Sequence, residues 1–154
     1  MDTFQFAGRE WADPAVVDRE QENADEVFDA TLTQLVATVN LRKVFYIQIG
    51  DAELPLSPMD TNHPWNIPGQ PERMGWSRNA RTFAKDPDVP GYLPVVRCAE
   101  AILKQLQYTG LVSCEVFSRF LFESDPEIAA KFAKRAAWGW HELLHDDLGV
   151  DPKA

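Results

Sequence analysis

Val44-Phe45-Tyr46-Ile47-Gln48-Ile49-Gly50-Asp51 is the stretch on which the fold turns. Its β-branched and aromatic run, broken by a single glutamine and closed by Gly50-Asp51, is too short for a helix and too uniformly apolar for an edge strand. It predicts a buried parallel strand. A second run of the same kind, Leu111-Val112-Ser113-Cys114-Glu115-Val116-Phe117, predicts another. Strand alternation places Tyr46, Gln48 and Gly50 on one face and Phe45, Ile47 and Ile49 on the other. Ser113 and Glu115 separate in the same way from Val112, Cys114 and Val116.

Helical periods surround these runs. Asn23 and Glu26 have the spacing of a capping pair, and Phe28, Leu32, Leu35, Val36 and Val39 then recur at helical intervals, which predicts an amphipathic helix over 24–39. Pro94 suits a first helical position ahead of Val95, Val96, Ala99, Ile102, Leu103 and Leu106, a stripe that stops before Gly110. Asp125-Pro126-Glu127 opens a last helix carrying Ile128, Phe132, Trp140, Leu143 and Leu144 and running out near Gly149. The order helix, strand, helix, strand, helix demands an α/β fold with a parallel βαβ unit and a right-handed crossover. From Asp51 to Gly91 neither period is sustained and seven prolines interrupt every candidate element, so 51–91 reads as a long loop. Trp65, Trp76 and Phe83 within it favour a functional lid over a disordered linker, one expected to lie over the strand ends and to be the least ordered part of the chain.

The chain has 154 residues and a formal net charge of −9, which predicts one domain over 1–154 and argues against a nucleic-acid partner. With 45% hydrophobic and 11% aromatic residues the composition is that of a packed core. Cys98 and Cys114 stand far apart with no metal-ligand spacing, so a disulfide-stapled secreted domain and a zinc knuckle are both disfavoured. No targeting segment and no long apolar run is found, which leads us to expect a cytoplasmic protein without a membrane partner. The acidic excess over residues 1–41 reads as a solvated loop leading into an acidic first helical turn.

In parallel α/β folds the reactive groups gather at the C-terminal ends of strands. Gln48 sits near the end of its strand, followed by Asp51 and Glu53; Glu115 sits near the end of the other; Asp2 opens the chain ahead of a long Gly-containing segment. A carboxylate on the inner face of a buried strand is costly unless paired. Glu115 therefore calls for a partner, either a salt bridge to Arg78 or Arg81 or a bound cation. Asp2, Gln48 and Glu115 together make an all-oxygen donor set suited to Mg²⁺, Mn²⁺ or Zn²⁺.

At these residues the chain resembles a known family. Asp2-Thr3-Phe4-Gln5, Tyr46 to Glu53, Ser77-Arg78-Asn79-Ala80-Arg81-Thr82-Phe83, Gly91-Tyr92-Leu93-Pro94 and Ser113 to Phe117 look like successive segments of the xylose-isomerase-like TIM barrels of the sugar phosphate isomerase/epimerase superfamily. The closest branch is the 3-dehydroshikimate dehydratases of quinate and shikimate catabolism. The resemblance implies a partial (β/α)8 TIM barrel running from the end of the sixth strand through the eighth strand and its helix. A full barrel needs roughly 250 residues, so about five strands would lie upstream. It further implies a divalent metal held by four strand-end ligands, of which Asp2, Gln48 and Glu115 match the last three. The first, a Glu, would precede Met1. The implied reaction removes water from 3-dehydroshikimate to give protocatechuate, with Arg78 and Arg81 clamping the carboxylate of this small-molecule substrate.

Some members place a His three residues after the ligand Asp; here that position is Gln5, which has no proton to exchange. No general base is thereby assigned. His63, the histidine of the loop, is a candidate for proton transfer set against an ordinary exposed residue. His141 and His145 are spaced i, i+4, which invites a metal reading, but a helix on the outside of a barrel is far from the strand ends. Two alternatives stand beside the lyase: a metal-dependent sugar isomerase or epimerase, for which the arginine pair would have no carboxylate to hold, and an inactive half-barrel fragment. An isolated portion of a barrel leads us to expect weak activity and either self-association or pairing with a missing N-terminal half.

Overall fold

The computed structural model describes residues 1–11 and 23–150. The acidic residues Asp13, Asp18, Glu20 and Glu22 lie outside them. The architecture mixes helix and strand. It runs α1 (Thr3–Glu10), α2 (Ala24–Thr38), β1 (Tyr46–Ile49), β2 (Asp51–Ala52), α3 (Glu72–Asn79), β3 (Arg81–Thr82), α4 (Val95–Glu100), β4 (Leu111–Cys114) and α5 (Ile128–His141). Helices α4 and α5 continue into π-helical turns over Ala101–Gln105 and Glu142–Asp147.

β1 and β4 pair in parallel, with Gln48 opposite Ser113 and Ile49 opposite Cys114. The ladder continues past both strands: Glu115 N donates to Ile49 O at 3.0 Å. On the other side of β1, Asp2 forms a parallel bridge to Gln48, Gln48 N donates to Met1 O at 2.7 Å, and the Met1 amino group donates to Tyr46 O. Asp2, β1 and β4 therefore lie side by side, so their C-terminal ends meet at one edge. Ile47 and Ile49 are buried against the helices while Gln48 is half-buried on the opposite face, the division that alternation requires.

The core sits between β1 and the helices α1, α2 and α4, with Phe4, Phe28, Trp76, Val95, Cys98 and Ile102 nearly fully buried. Each large apolar side chain so enclosed contributes about 1.5–3 kcal/mol relative to exposure. Thr3 fastens α1 to the end of β1: its hydroxyl donates to Gly50 O at 2.9 Å and accepts from Gly50 N at 3.0 Å. Gly50 has no room for a side chain, since a Cβ there would lie 2.6 Å from Glu115 O.

Three local expectations are corrected. The segment after Asp2 is helix α1 and not a loop; Asp2 Oδ1 accepts from Phe4 N at 2.9 Å and from Gln5 N at 3.4 Å, and this cap offsets the cost of Gly8 within the helix. Asn23 caps α2 through a left-handed backbone, φ 70°, with no side-chain hydrogen bond, so the capping pair does not form. The stretch 51–91 is not a structureless loop. β2 and β3 pair antiparallel within it, Pro71 precedes α3, and Trp76 is buried with its Nε1 donating to Glu53 O at 2.9 Å. Its end returns to the strand ends, where Arg81 N donates to Phe117 O at 3.0 Å.

Candidate metal and substrate site

Asp2, Gln48 and Glu115 reach their places by different routes. Asp2 is fixed because Oδ1 caps α1, which turns Oδ2 away from the helix. Gln48 and Glu115 stand on neighbouring parallel strands on the same face, and Gln48 Nε2 donates to Glu115 Oε1 at 2.6 Å. The two remaining carboxylate oxygens point at one buried cation. Arg81 Nη1 donates to Asp2 Oδ2 at 3.0 Å and also to Glu115 Oε2, while Arg81 Nε donates to Ser77 Oγ at 3.2 Å. The Arg81 guanidinium lies 4.1 Å from the centre of the Phe4 ring, a cation–π contact. The Arg81 side chain is 4% exposed, against 15% for Asp2 and 22% for Glu115.

Of the two partners open to Glu115, the geometry supplies the salt bridge, and supplies it from Arg81. Arg81 is also placed differently from a solvent-facing substrate clamp: it is spent on Asp2 and Glu115. Arg78 is exposed and lines a cavity of about 720 Å³ together with Gln5, Met74, Ser77, Arg81 and Phe117. His63 is held locally. Its Nδ1 accepts from Trp65 N at 3.1 Å, its ring meets the Trp65 edge at 4.9 Å, and it is not among the residues lining that cavity.

The donor chemistry fits a divalent ion. Two carboxylates meet at one point where a positive charge is already accommodated, and the Gln48 amide, hydrogen-bonded to Glu115, stands beside them with an oxygen that turning the amide over would present. Asp2, Gln48 and Glu115 are the residues that could hold such an ion, in competition with Arg81 Nη1.

The chain is similar to a 3-dehydroshikimate dehydratase. It is 39% identical over 146 residues to the curated 3-dehydroshikimate dehydratase of Neurospora crassa, a match that takes in 95% of this chain and 41% of that protein. The chain thus spans less than half the length of that relative. No family model matches the chain, and no solved structure does. No helix among the described residues is long and apolar enough to cross a membrane.

The partners of three further acidic side chains, Asp51, Glu53 and Asp86, were not read from the sequence. Asp51, directly after β1, is buried; its Oδ1 accepts from Ala52 N at 2.7 Å and Leu93 N at 2.9 Å, and burial pushes its carboxyl up to about 7 against the hydrogen bonds that hold it down. Arg119 forks onto Glu53 at 2.6 and 2.9 Å. Arg135 donates from Nε to Asp86 Oδ1 at 2.9 Å and from Nη2 to Oδ2 at 2.7 Å, and Thr82 Oγ1 adds a bond of 2.6 Å. Burial alone would raise Asp86, but Arg135, Thr82 and two backbone amides outweigh it and hold the carboxyl below the usual range. One signal for Asp51 was present: Gly91 must be glycine, since a Cβ there would lie 2.1 Å from the Asp51 carboxyl carbon.

Proposed function

We propose that this chain is part of a divalent-metal-dependent 3-dehydroshikimate dehydratase of the xylose-isomerase-like family, folded as a portion of a TIM barrel. The meeting of Asp2 and Glu115 at one cation position, with Gln48 bonded to Glu115 and a cavity that carries Arg78 alongside, supports this reading most directly. Identity to the Neurospora crassa enzyme along nearly the whole chain supports the substrate.

The reaction is balanced without an oxidant or reductant. A C–H bond next to the ketone breaks, its electrons form a ring double bond as the hydroxyl leaves with a proton as water, and the resulting dienone tautomerises, a ring CH2 losing a proton while the ketone oxygen gains one, to give protocatechuate. A bound divalent ion supplies Lewis acidity at the ketone oxygen, where negative charge develops. The chain's own residues do the rest of the positioning. Arg78 meets the substrate carboxylate, which favours a carboxylate substrate over the polyol of a sugar isomerase. Ile67, Met74 and Phe117 give the cavity apolar walls that displace water from the ring. Arg81 bridges the Asp2 and Glu115 carboxylates and offsets one of their two negative charges, at the position a divalent ion would share. Gln5 lines the cavity at the place where some members carry a His and moves no proton, so the base is another group, in this chain or beyond it.

The remainder of the barrel, with the fourth ligand, comes in this reading from another segment or another chain. The exposure of Phe45 (84%), Leu56 (98%) and Phe122 (86%) supports association over a stable monomer. The test is an assay of the purified chain with Mn²⁺ and 3-dehydroshikimate, followed by protocatechuate absorbance, with size-exclusion chromatography of the same sample. Little turnover with self-association is expected. Robust turnover by a monodisperse monomer would contradict the need for a further ligand.

A further inference from the structure

We propose that His141, His145 and Asp146 form a second divalent-metal site, on the outer surface of the last helix and independent of the strand-end donors, that takes zinc or a neighbouring transition ion. His141 is the last residue of α5, and His145 and Asp146 lie in the π-helical turn that continues it. Leu143 and Leu144 are buried and pin this turn to the core, which leaves His141, His145 and Asp146 exposed on the opposite side. The two imidazole rings stack with centroids 5.0 Å apart and planes inclined by 20°. One ring nitrogen from each and one Asp146 oxygen all lie within 4.8 Å of one another.

Two nitrogens and a carboxylate oxygen are the donors that suit zinc and its first-row neighbours and do not suit magnesium. Bonds of about 2.0–2.2 Å to a tetrahedral ion are reached from this spacing by small rotations of exposed side chains. The local charge points the same way. Asp146 Oδ1 is 2.6 Å from His145 Nδ1, so a carboxylate already stands beside the two imidazoles where a cation would sit. The sequence His141-Glu142-Leu143-Leu144-His145 itself has the H-E-x-x-H form in which a helix offers two histidines one turn apart to zinc.

The chain contains three histidines, so the ring signals of His63, His141 and His145 can be followed separately by NMR during titration of the full chain with zinc chloride. The His141 and His145 signals are expected to move together and saturate at one equivalent while His63 stays in place. In His145→Ala the zinc concentration for half-saturation at His141 should rise about ten-fold or more, the scale on which weakened metal sites lose affinity. In Glu115→Gln it should not change. Equal binding by His145→Ala and the parent chain, or a zinc response lost in Glu115→Gln and kept in His145→Ala, would overturn the assignment. The amide spectrum of His145→Ala, unchanged away from 141–147, verifies that an exposed side chain was removed without unfolding.

Discussion

Arg81 Nη1 donates to Asp2 Oδ2 at 3.0 Å across 79 residues of sequence, and the same nitrogen reaches Glu115. A single buried cation thereby ties the cap of α1 to β3 and to the end of β4. Removing one partner of such a group strands the other charges, which costs more than the net worth of the pair.

Arg81→Met should therefore lower stability at neutral pH by about 3 kcal/mol, read from urea unfolding. If Asp2, Gln48 and Glu115 hold an ion in place of the guanidinium, millimolar Mn²⁺ recovers more of that loss in Arg81→Met than it adds to the parent chain. Equal effects of Mn²⁺ on both would count against shared occupancy.

Asp51 carries a pH signature of a definite sign. Its carboxyl is raised to about 7 in the fold from 3.8, so the folded state binds a proton that the unfolded state has released between those values. Stability from this group is full below about pH 4 and is lost as pH rises to about 7, by up to about 1.4 kcal/mol per pH unit. Asp51→Asn keeps an oxygen for Ala52 N and Leu93 N and should flatten that slope in unfolding curves taken from pH 4 to 8. Gly91→Ala, which drives a methyl into the same carboxyl, should destabilise the chain at every pH.

Asp86 behaves in the opposite sense. Its folded value lies below 3.8, so its contribution is present above the unfolded value and lost as pH falls through the folded one. Arg135→Met leaves Asp86 buried without its counter-ion, and a loss of about 3 kcal/mol at pH 7 is expected, shrinking toward pH 3 as the carboxyl is protonated. Thermal unfolding at the two pH values measures this.

The elements that were legible in the sequence are those whose burial repeats at a local period. Tyr46–Ile49 alternates and Phe28 and Leu32 recur one turn apart, so β1 and the helix α2 could be anticipated; β4, which pairs with β1, was read from its apolar run and is less buried than expected, with Leu111 and Cys114 exposed at its two ends. α1 was hidden because Asp2 and Gly8 read as loop residues until the Asp2 carboxylate is seen capping the helix. α3 and the β2–β3 pair were hidden by prolines that flank them without entering them. The partner of Glu115 could be narrowed to an arginine or a cation from the cost of burying a charge, but the choice of Arg81 over Arg78 depends on the turn from α3 into β3, a tertiary fact with no local period.

The central claim, that Asp2, Gln48 and Glu115 serve a dehydratase metal site, is tested most directly by grafting. The 146 matched residues of this chain are exchanged for their counterparts in the Neurospora crassa enzyme, and protocatechuate formation from 3-dehydroshikimate is followed with added Mn²⁺. The account predicts turnover by the chimera, and a fall of about 100-fold or more in Glu115→Gln together with weaker Mn²⁺ binding, since even partners of a ligand are worth about 10–100-fold. A folded chimera whose turnover and Mn²⁺ affinity are unchanged by Glu115→Gln would contradict it.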